Sequence, residues 1–154
     1  MSNLNSKVAI AGSGAMGAGI AQVAAMAGHT VFLYDTNKEA VDKAMVGIAS
    51  SLEKLVAKGK LAERAALDIR QRIIPASSLS ELQGASLFIE AIVEKLAVKS
   101  ELFAAVEEVL IEDAILASNT SSLSITAIAS SCKKPERVIG LHFFNPAVLM
   151  PLVE

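Results

Sequence analysis

A glycine-rich segment near the start, GSGAMG at residues 12–17, constrains this chain more than any other feature. It directly follows the apolar run 7–11 and opens an alanine-rich stretch. This order predicts a buried parallel strand, a tight turn and a helix. Gly12 would permit the turn, Gly14 would let a pyrophosphate approach the backbone, and Gly17 would let the helix pack on the strand.

An acidic residue, Asp35, ends the next apolar run, residues 30–34. Its carboxylate can accept hydrogen bonds from an adenosine ribose and would repel an additional 2′-phosphate. The backbone around Ala15 and Met16 would offer N–H groups and the positive end of a helix dipole to the phosphates. The pattern predicts a dinucleotide site that favours NAD over NADP. The alternative is that the glycines only make a turn and Asp35 caps the next helix.

Strands and helices alternate along the remainder of the chain. The charged stretch 36–72 has apolar residues three or four apart on either side of Gly59, which predicts a helical hairpin. Pro75 is expected to end the third strand, and a helix is expected at 98–110. Four strands follow the first two, at residues 73–74, 87–90, 115–118 and 138–142. The alternation predicts a doubly wound, mostly parallel α/β sheet with an inserted helical hairpin.

Composition limits which kinds of partner we expect this chain to bind and in which compartment we expect to find it. Fourteen basic and sixteen acidic residues give a net charge of −2, so neither a nucleic-acid nor a membrane partner is expected. The apolar stretch 8–34 contains five glycines and changes its period, which favours a strand-helix-strand unit over a membrane span. A single cysteine, Cys132, fits a reducing compartment, and we expect a cytoplasmic protein. No cluster has the spacing of metal ligands.

Two polar segments follow predicted strands, at the edge where α/β sheets bind ligands. The first is SNTSS at 118–122, and the second is HFFNP at 142–146, which leads to MPLVE at 150–154. His142 is the side chain best suited to exchange a proton near neutral pH, and a paired carboxylate would orient its ring. A structural role for His142 and an ordinary loop serine at Ser121 remain the alternatives.

The segments VAIAGSGAMGAGIA, SNTSSL and HFFNP followed by MPLVE resemble those of the 3-hydroxyacyl-CoA dehydrogenase family. They occur in the family's order and spacing, and the resemblance covers essentially the whole chain. It implies that His142 is the general base and Glu154 its partner. It also implies that Ser121 and Asn145 contact the reacting oxygen of the substrate, with Ser121 beside the nicotinamide.

The resemblance assigns four further residues to ligands. Glu94 and Lys99 would lie at the NAD site, and the helical hairpin would reach toward coenzyme A, with Ser51 and Lys58 as weaker matches. A helix-surface ion pair remains the alternative for Lys99, and an ordinary solvated side chain remains the alternative for Lys58.

The activity that the resemblance implies is oxidation of an (S)-3-hydroxyacyl-CoA to the 3-oxoacyl-CoA, with hydride transfer to NAD, as in β-oxidation and fatty acid metabolism. Residues 1–154 would form the NAD-binding Rossmann domain. The family's C-terminal helical domain, which binds the acyl chain and forms a homodimer, is absent from this chain. We therefore expect weak or no turnover by the chain alone. Details of the sequence favour the 3-hydroxybutyryl or 3-hydroxyadipyl-CoA branches, although Pro151 replaces a lysine of many relatives.

Two other functions fit parts of the pattern. A β-hydroxyacid dehydrogenase acting on free acids also begins with a similar glycine motif, although HFFNP argues against that class. A non-catalytic or structural NAD-binding module would keep the glycine turn, but would not need Ser121, His142 and Glu154.

Overall fold

The computed structural model describes residues 6–154. Its strands form one sheet in the order β3-β2-β1-β4-β5-β6, and every pair of neighbouring strands runs parallel. The strands are β1 (Lys7–Ala11), β2 (Thr30–Tyr34), β3 (Ile73–Ala76), β4 (Leu87–Glu90), β5 (Ile115–Ser118) and β6 (Val138–Gly140). The chain starts in the middle of the sheet, builds one half outward and then returns to build the other. The predicted doubly wound, Rossmann-like fold is confirmed.

Five α-helices connect the strands of the described part of the chain. They are α1 (Ala15–Met26), α2 (Lys38–Ala57), α3 (Glu63–Gln71), α4 (Leu96–Glu107) and α5 (Ile125–Ala129). Gly59, with φ +68°, follows the end of α2, and α3 then packs back on α2. The inserted helical hairpin is therefore confirmed, with its break at the predicted glycine.

The core lies on both faces of the sheet. Along β1, Val8 and Ile10 pack toward α1 and the hairpin, whereas Ala9 and Ala11 pack toward α4 and α5. This alternation follows from the two-residue period of a strand. Because helices cover both faces, the strands are mostly apolar, as parallel strands usually are.

Two strand boundaries differ from the prediction. Pro75 does not end the third strand, because β3 continues to Ala76 with Pro75 paired opposite Leu33. β3 is an edge strand, where a residue without an N–H group costs no inner hydrogen bond. β6 ends at Gly140 rather than at His142, although the Leu141 N–H still donates to the Ser118 carbonyl at 2.9 Å.

The fourth helix is displaced and rotated relative to the prediction. It covers Leu96–Glu107 instead of 98–110. Its buried residues are Lys99, Phe103 and Val106, whereas Val98, which was expected on the apolar stripe, is 40% exposed. A lysine thus occupies a core position that an apolar pattern could not indicate.

Glu107 anchors the turn that leads into β6 and therefore into the HFFNP segment. Its carboxylate accepts hydrogen bonds from the Lys133 and Lys134 N–H groups at 2.6 and 2.8 Å and from Arg137 Nη2 at 3.1 Å. Burial raises the pKa of Glu107, but these bonds outweigh it and hold the pKa below its ordinary value. The ionised carboxylate therefore stabilises the folded chain.

We expect Glu107→Gln to lower the free energy of unfolding by about 2 kcal/mol at neutral pH, because three donors, one of them a guanidinium, lose a charged acceptor whose side chain is 6% exposed. A carboxylate whose pKa is lowered by folding stabilises the folded chain at pH values above its pKa in the unfolded chain. This stabilisation is lost as the pH falls through its pKa in the folded chain. The difference from the unaltered chain should therefore shrink below the ordinary pKa of 4.5. Urea unfolding at several pH values measures this.

Glu108→Gln is the matched control. Glu108 is 57% exposed and pairs with Lys133 Nζ at the surface, so its replacement should cost less than about 0.5 kcal/mol. Equal losses for the two variants, or a difference independent of pH, would contradict the anchoring role of Glu107.

Candidate functional site

The turn between β1 and α1 is packed too closely for side chains at two of its glycines. Gly12 has φ +99°, and a Cβ there would collide with the carbonyl oxygen of Ala91. A Cβ at Gly17 would collide with the carbonyl oxygen of Gly12. A Cβ at Gly14 would meet nothing within 4 Å. Gly14 therefore faces open space, which a ligand can approach.

The start of α1 suits an anionic group. Gly14 is the N-cap, and the first turn contains no acidic residue. The first N–H groups of a helix, here around Ala15, Met16 and Gly17, have no partner within the helix, and the dipole places partial positive charge there. The residues present thus fit the pyrophosphate of a dinucleotide.

Asp35 lies beside this turn. Its Oδ2 accepts hydrogen bonds from the Ser13 N–H at 2.8 Å and the Ser13 hydroxyl at 2.9 Å, and its Oδ1 accepts from the Asn37 N–H at 3.0 Å. Burial raises the pKa of Asp35, but these hydrogen bonds outweigh it and lower the pKa, so the side chain is ionised at neutral pH. The side chain that caps α2 is that of Asn37, not Asp35.

Asp35 lines a cavity of about 560 Å³ at the carboxyl edge of the sheet, which we term the Asp35 cavity. Its walls include the apolar side chains of Ile92, Val93 and Leu102. Apolar walls suit the flat face of an adenine, and a carboxylate suits a ribose. Glu101 also lines it and adds a second acidic group against a 2′-phosphate.

A neighbouring cavity of about 360 Å³, the His142 cavity, brings together six of the residues predicted from sequence. They are Met16, Glu94, Lys99, Ser121, His142 and Asn145. The two cavities adjoin, because Ala91 and Ile92 line both. Together they extend along the carboxyl edge of the sheet, where open α/β sheets bind ligands.

His142 and Glu154 contact each other through both their side chains and their backbones. His142 Nδ1 lies 3.5 Å from Glu154 Oε2, and the two backbones exchange hydrogen bonds at 2.8 and 2.9 Å. An antiparallel bridge between Phe143 and Val153 continues this contact. Because Nδ1 faces the carboxylate, Nε2 is the nitrogen left to serve a ligand.

Asn119 joins the two polar segments. Its Oδ1 accepts a hydrogen bond from the Phe143 N–H at 2.8 Å, so the loop that carries Ser121 is fixed to the segment that carries His142. Sequence reasoning missed this role. Asn119 follows a predicted strand, which was a usable signal, but a bond to a distant backbone N–H leaves no local pattern.

Lys99 forms an ion pair, but a buried one. The side chain is 1% exposed, and Nζ lies 2.5 Å from Glu90 Oε1 and 3.1 Å from Glu94 Oε2. The helix-surface alternative is therefore wrong. Sequence reasoning also missed Glu90, although a charged residue within the otherwise apolar run LFIE was a signal.

Glu94 connects this pair to the polar loop after β5. Its Oε1 accepts hydrogen bonds from the Thr120 and Ser122 hydroxyls. Burial raises the pKa of Glu94, but the bonds from Thr120 and Lys99 outweigh it, so the pKa lies below its ordinary value. Glu94 is thus a carboxylate at neutral pH.

The structure does not bring Ser51 and Lys58 to the His142 cavity. Ser51 is half-buried in α2, and Lys58 is exposed at its C-terminal end. Their spacing of seven residues places them on one face of the helix. Among residues 6–154, no group of three His, Cys, Asp or Glu side chains could hold a metal ion. No helix in this range is long and apolar enough to cross a membrane.

Two adjoining cavities that fit the two ends of a dinucleotide, with a histidine–glutamate pair beside them, are typical of the dinucleotide-binding domain of an oxidoreductase. The family described as "3-hydroxyacyl-CoA dehydrogenase, NAD binding domain" matches residues 7–154. The chain belongs to this family. The resemblance read from the sequence, including NAD as the cofactor, is confirmed.

Individual relatives agree with this assignment. The chain is 52% identical to a 3-hydroxyadipyl-CoA dehydrogenase of Escherichia coli K12, over 96% of this chain and 31% of the relative. It is 45% identical to a 3-hydroxybutyryl-CoA dehydrogenase of Clostridioides difficile, over 96% and 53%. The crystal structure of 3-hydroxybutyryl-CoA dehydrogenase from Escherichia coli K12 superposes with a TM-score of 0.94, at 50% identity over 97% and 32%. The chain thus spans about a third to a half of these relatives.

Gly14→Ala should weaken NADH binding without unfolding the chain. The backbone at Gly14 has φ −65° and ψ −173°, which alanine accepts, and the added methyl group meets no protein atom. It would instead meet the pyrophosphate, and we expect a loss of affinity of about tenfold or more, ~1.4 kcal/mol. Fluorescence titration with NADH and thermal unfolding measure the two effects. Asp68→Asn, at a surface pair with Arg64 on α3, is the control, and equal NADH affinities for both variants would contradict this placement.

The unaltered chain should bind NADH more tightly than NADPH, because Asp35 repels a 2′-phosphate. Asp35→Asn removes the charge, and we expect the ratio of the two dissociation constants to fall about tenfold. Parallel titrations measure the ratio. Asp68→Asn, a change on α3 at a surface pair with Arg64, should leave it unchanged. A preference that survives in Asp35→Asn would contradict the role of Asp35.

Proposed function

We propose that this chain provides the NAD site and the general base for oxidation of an (S)-3-hydroxyacyl-CoA to the 3-oxoacyl-CoA. The observation that supports it most directly is that His142, which pairs with Glu154, lines one cavity with Ser121 and Asn145. That cavity adjoins the Asp35 cavity, so an acid–base group lies beside the reactive end of a bound dinucleotide.

In the proposed reaction, His142 Nε2 removes the proton from the substrate hydroxyl. The Glu154 carboxylate stabilises the imidazolium that forms and keeps Nδ1 oriented. Ser121 and Asn145 hold the substrate oxygen in line, and Phe144 packs edge-on against His142 at 4.9 Å between ring centroids. NAD, when bound, supplies the hydride acceptor for C3. The chain's own contribution is position and charge.

The proposed substrate class rests on the names of the relatives. They are dehydrogenases of 3-hydroxyadipyl-CoA and 3-hydroxybutyryl-CoA, and we propose a CoA thioester here too. Ser51 and Lys58 share one face of α2, outside the His142 cavity. In this proposal the Lys58 ammonium provides a point charge for a coenzyme A phosphate.

We also propose that residues 1–154 act as one NAD-binding domain, together with a helical substrate and dimerisation domain that accounts for the greater length of the relatives. The segment beside the catalytic pair is apolar and exposed, with Leu149 at 75% and Leu152 at 54% exposure. A second domain would cover such a surface.

We place the protein in the cytoplasm as a homodimer. Burial raises the pKa of the Cys132 thiol, so it is kept protonated, as suits a structural rather than a redox-active cysteine.

The test is NADH formation from (S)-3-hydroxybutyryl-CoA and from free 3-hydroxybutyrate. It is run on the chain alone and on a chimera in which this chain is fused to the part of the Clostridioides difficile relative that it does not match. We expect turnover of the thioester only. His142→Ala should lower kcat by about 100-fold or more, the usual contribution of a general base. Glu154→Gln should lower it less, because the base remains.

His29→Ala is the matched control, because the chain has two histidines and His29 pairs with the Ser6 hydroxyl at 2.9 Å, away from the His142 cavity. Unchanged turnover in His142→Ala would end the assignment of the base. Oxidation of the free acid would indicate a β-hydroxyacid dehydrogenase. NADH binding without turnover in the chimera would indicate a binding module.

A further inference from the structure

A buried charge cluster forms part of the wall of the His142 cavity. It consists of Glu90 at the end of β4, Glu94 in the loop that follows, and Lys99 in α4, whose ammonium contacts both carboxylates; we term it the Glu90 cluster. Glu90 is fully buried and Lys99 is 1% exposed, whereas the Glu94 side chain is 40% exposed. Lys99 and Glu94 both line the cavity. The proposed reaction makes no use of Glu90.

The hydrogen-bond partners of Glu90 are donors, as an ionised carboxylate requires. Its Oε1 accepts hydrogen bonds from Lys99 Nζ at 2.5 Å and the Ile92 N–H at 2.7 Å, and its Oε2 accepts from the Ser118 hydroxyl at 2.6 Å. Two carboxylates and one ammonium leave the Glu90 cluster with a net charge of −1. The buried charges of Glu90 and Lys99 offset each other with little screening, so the residual negative charge is that of the Glu94 carboxylate at the cavity wall.

Lys99 by itself is unfavourable in this position. The nicotinamide ring is cationic when oxidised and neutral when reduced, so an ammonium on the cavity wall would repel the oxidised form. Glu90 offsets that ammonium from the side away from the cavity, and Glu94 adds a second negative charge on the wall. With both glutamates included, the net charge of this part of the cavity wall is negative instead of positive.

We propose that the Glu90 cluster selects the oxidised cofactor: its net negative charge stabilises the cationic nicotinamide over the neutral ring, with Glu90 as the positioning residue that neutralises Lys99. This rests on the proposed function, which places the nicotinamide in the His142 cavity. Glu90 acts through Lys99 and Glu94 and does not itself contact the cofactor.

The test compares the dissociation constants of NAD⁺ and NADH by calorimetry and fluorescence on the 154-residue chain. Glu90→Gln keeps the shape and changes the cluster charge from −1 to 0. We expect the ratio of the NADH to the NAD⁺ dissociation constant to fall about fivefold, mainly through weaker NAD⁺ binding. Glu94→Gln makes the same change of charge with the Glu90–Lys99 pair intact, and it carries the test if Glu90→Gln does not fold.

Two controls separate charge from structure. Ser118→Ala removes a hydrogen bond to Glu90 without changing charge, and Glu107→Gln removes a distant buried carboxylate. Both should leave the ratio unchanged even where stability falls. The double variant Glu90→Gln with Lys99→Met restores the net charge of −1 and should restore the ratio, which a purely structural role of Glu90 would not produce.

The outcomes distinguish this inference from the proposed function. If the unaltered chain binds both nucleotides and neither Glu90→Gln nor Glu94→Gln changes the ratio, this inference alone is overturned. If the unaltered chain binds neither nucleotide, the cofactor site and this inference both fail. A ratio that follows the net charge across all the variants supports it.

Discussion

The whole site depends on how closely the start of α1 approaches the end of β1. The Gly17 Cα lies against the Gly12 carbonyl, and Gly12 lies against Ala91 after β4. This contact places the first turn of α1 at the carboxyl edge of the sheet, in front of the strand ends of the other half. A larger side chain at either glycine would push the helix away, and the N–H groups of its first turn would no longer adjoin the two cavities.

The remaining residues reach the site from separate strands, and hydrogen bonds between loops hold them there. Asn119 fixes the loop after β5 to the segment after β6, and Glu94 fixes the loop after β4 to the loop after β5. Each bond gives a hydrogen-bond partner to a polar group in a loop, where the sheet provides none. The cavity is thus largely formed before a ligand arrives, which lowers the entropic cost of binding.

The sequence was most informative where one local pattern determines the structure. The bounds of β1 and β2 and the break at Gly59 followed from periodicity and glycine position. Pro75 was misjudged because its tolerance depends on β3 being at the edge, a property of the whole sheet. The burial of Lys99 was missed because its partner Glu90 comes from a different element and an ion pair has no hydrophobic period. The six predicted residues of the His142 cavity do lie together, but their roles stay predictions, and Ser51 and Lys58 lie elsewhere.

The reciprocal backbone bonds of His142 and Glu154 close a loop of the chain on itself. Closing a loop of about a dozen residues costs on the order of 2 kcal/mol of chain entropy. The imidazole meets its carboxylate only in the closed loop, so the His142–Glu154 pair depends on a local folding equilibrium as well as on a fixed geometry. Stiffening the segment after Pro146 would therefore increase the fraction of molecules in which the imidazole and the carboxylate are paired.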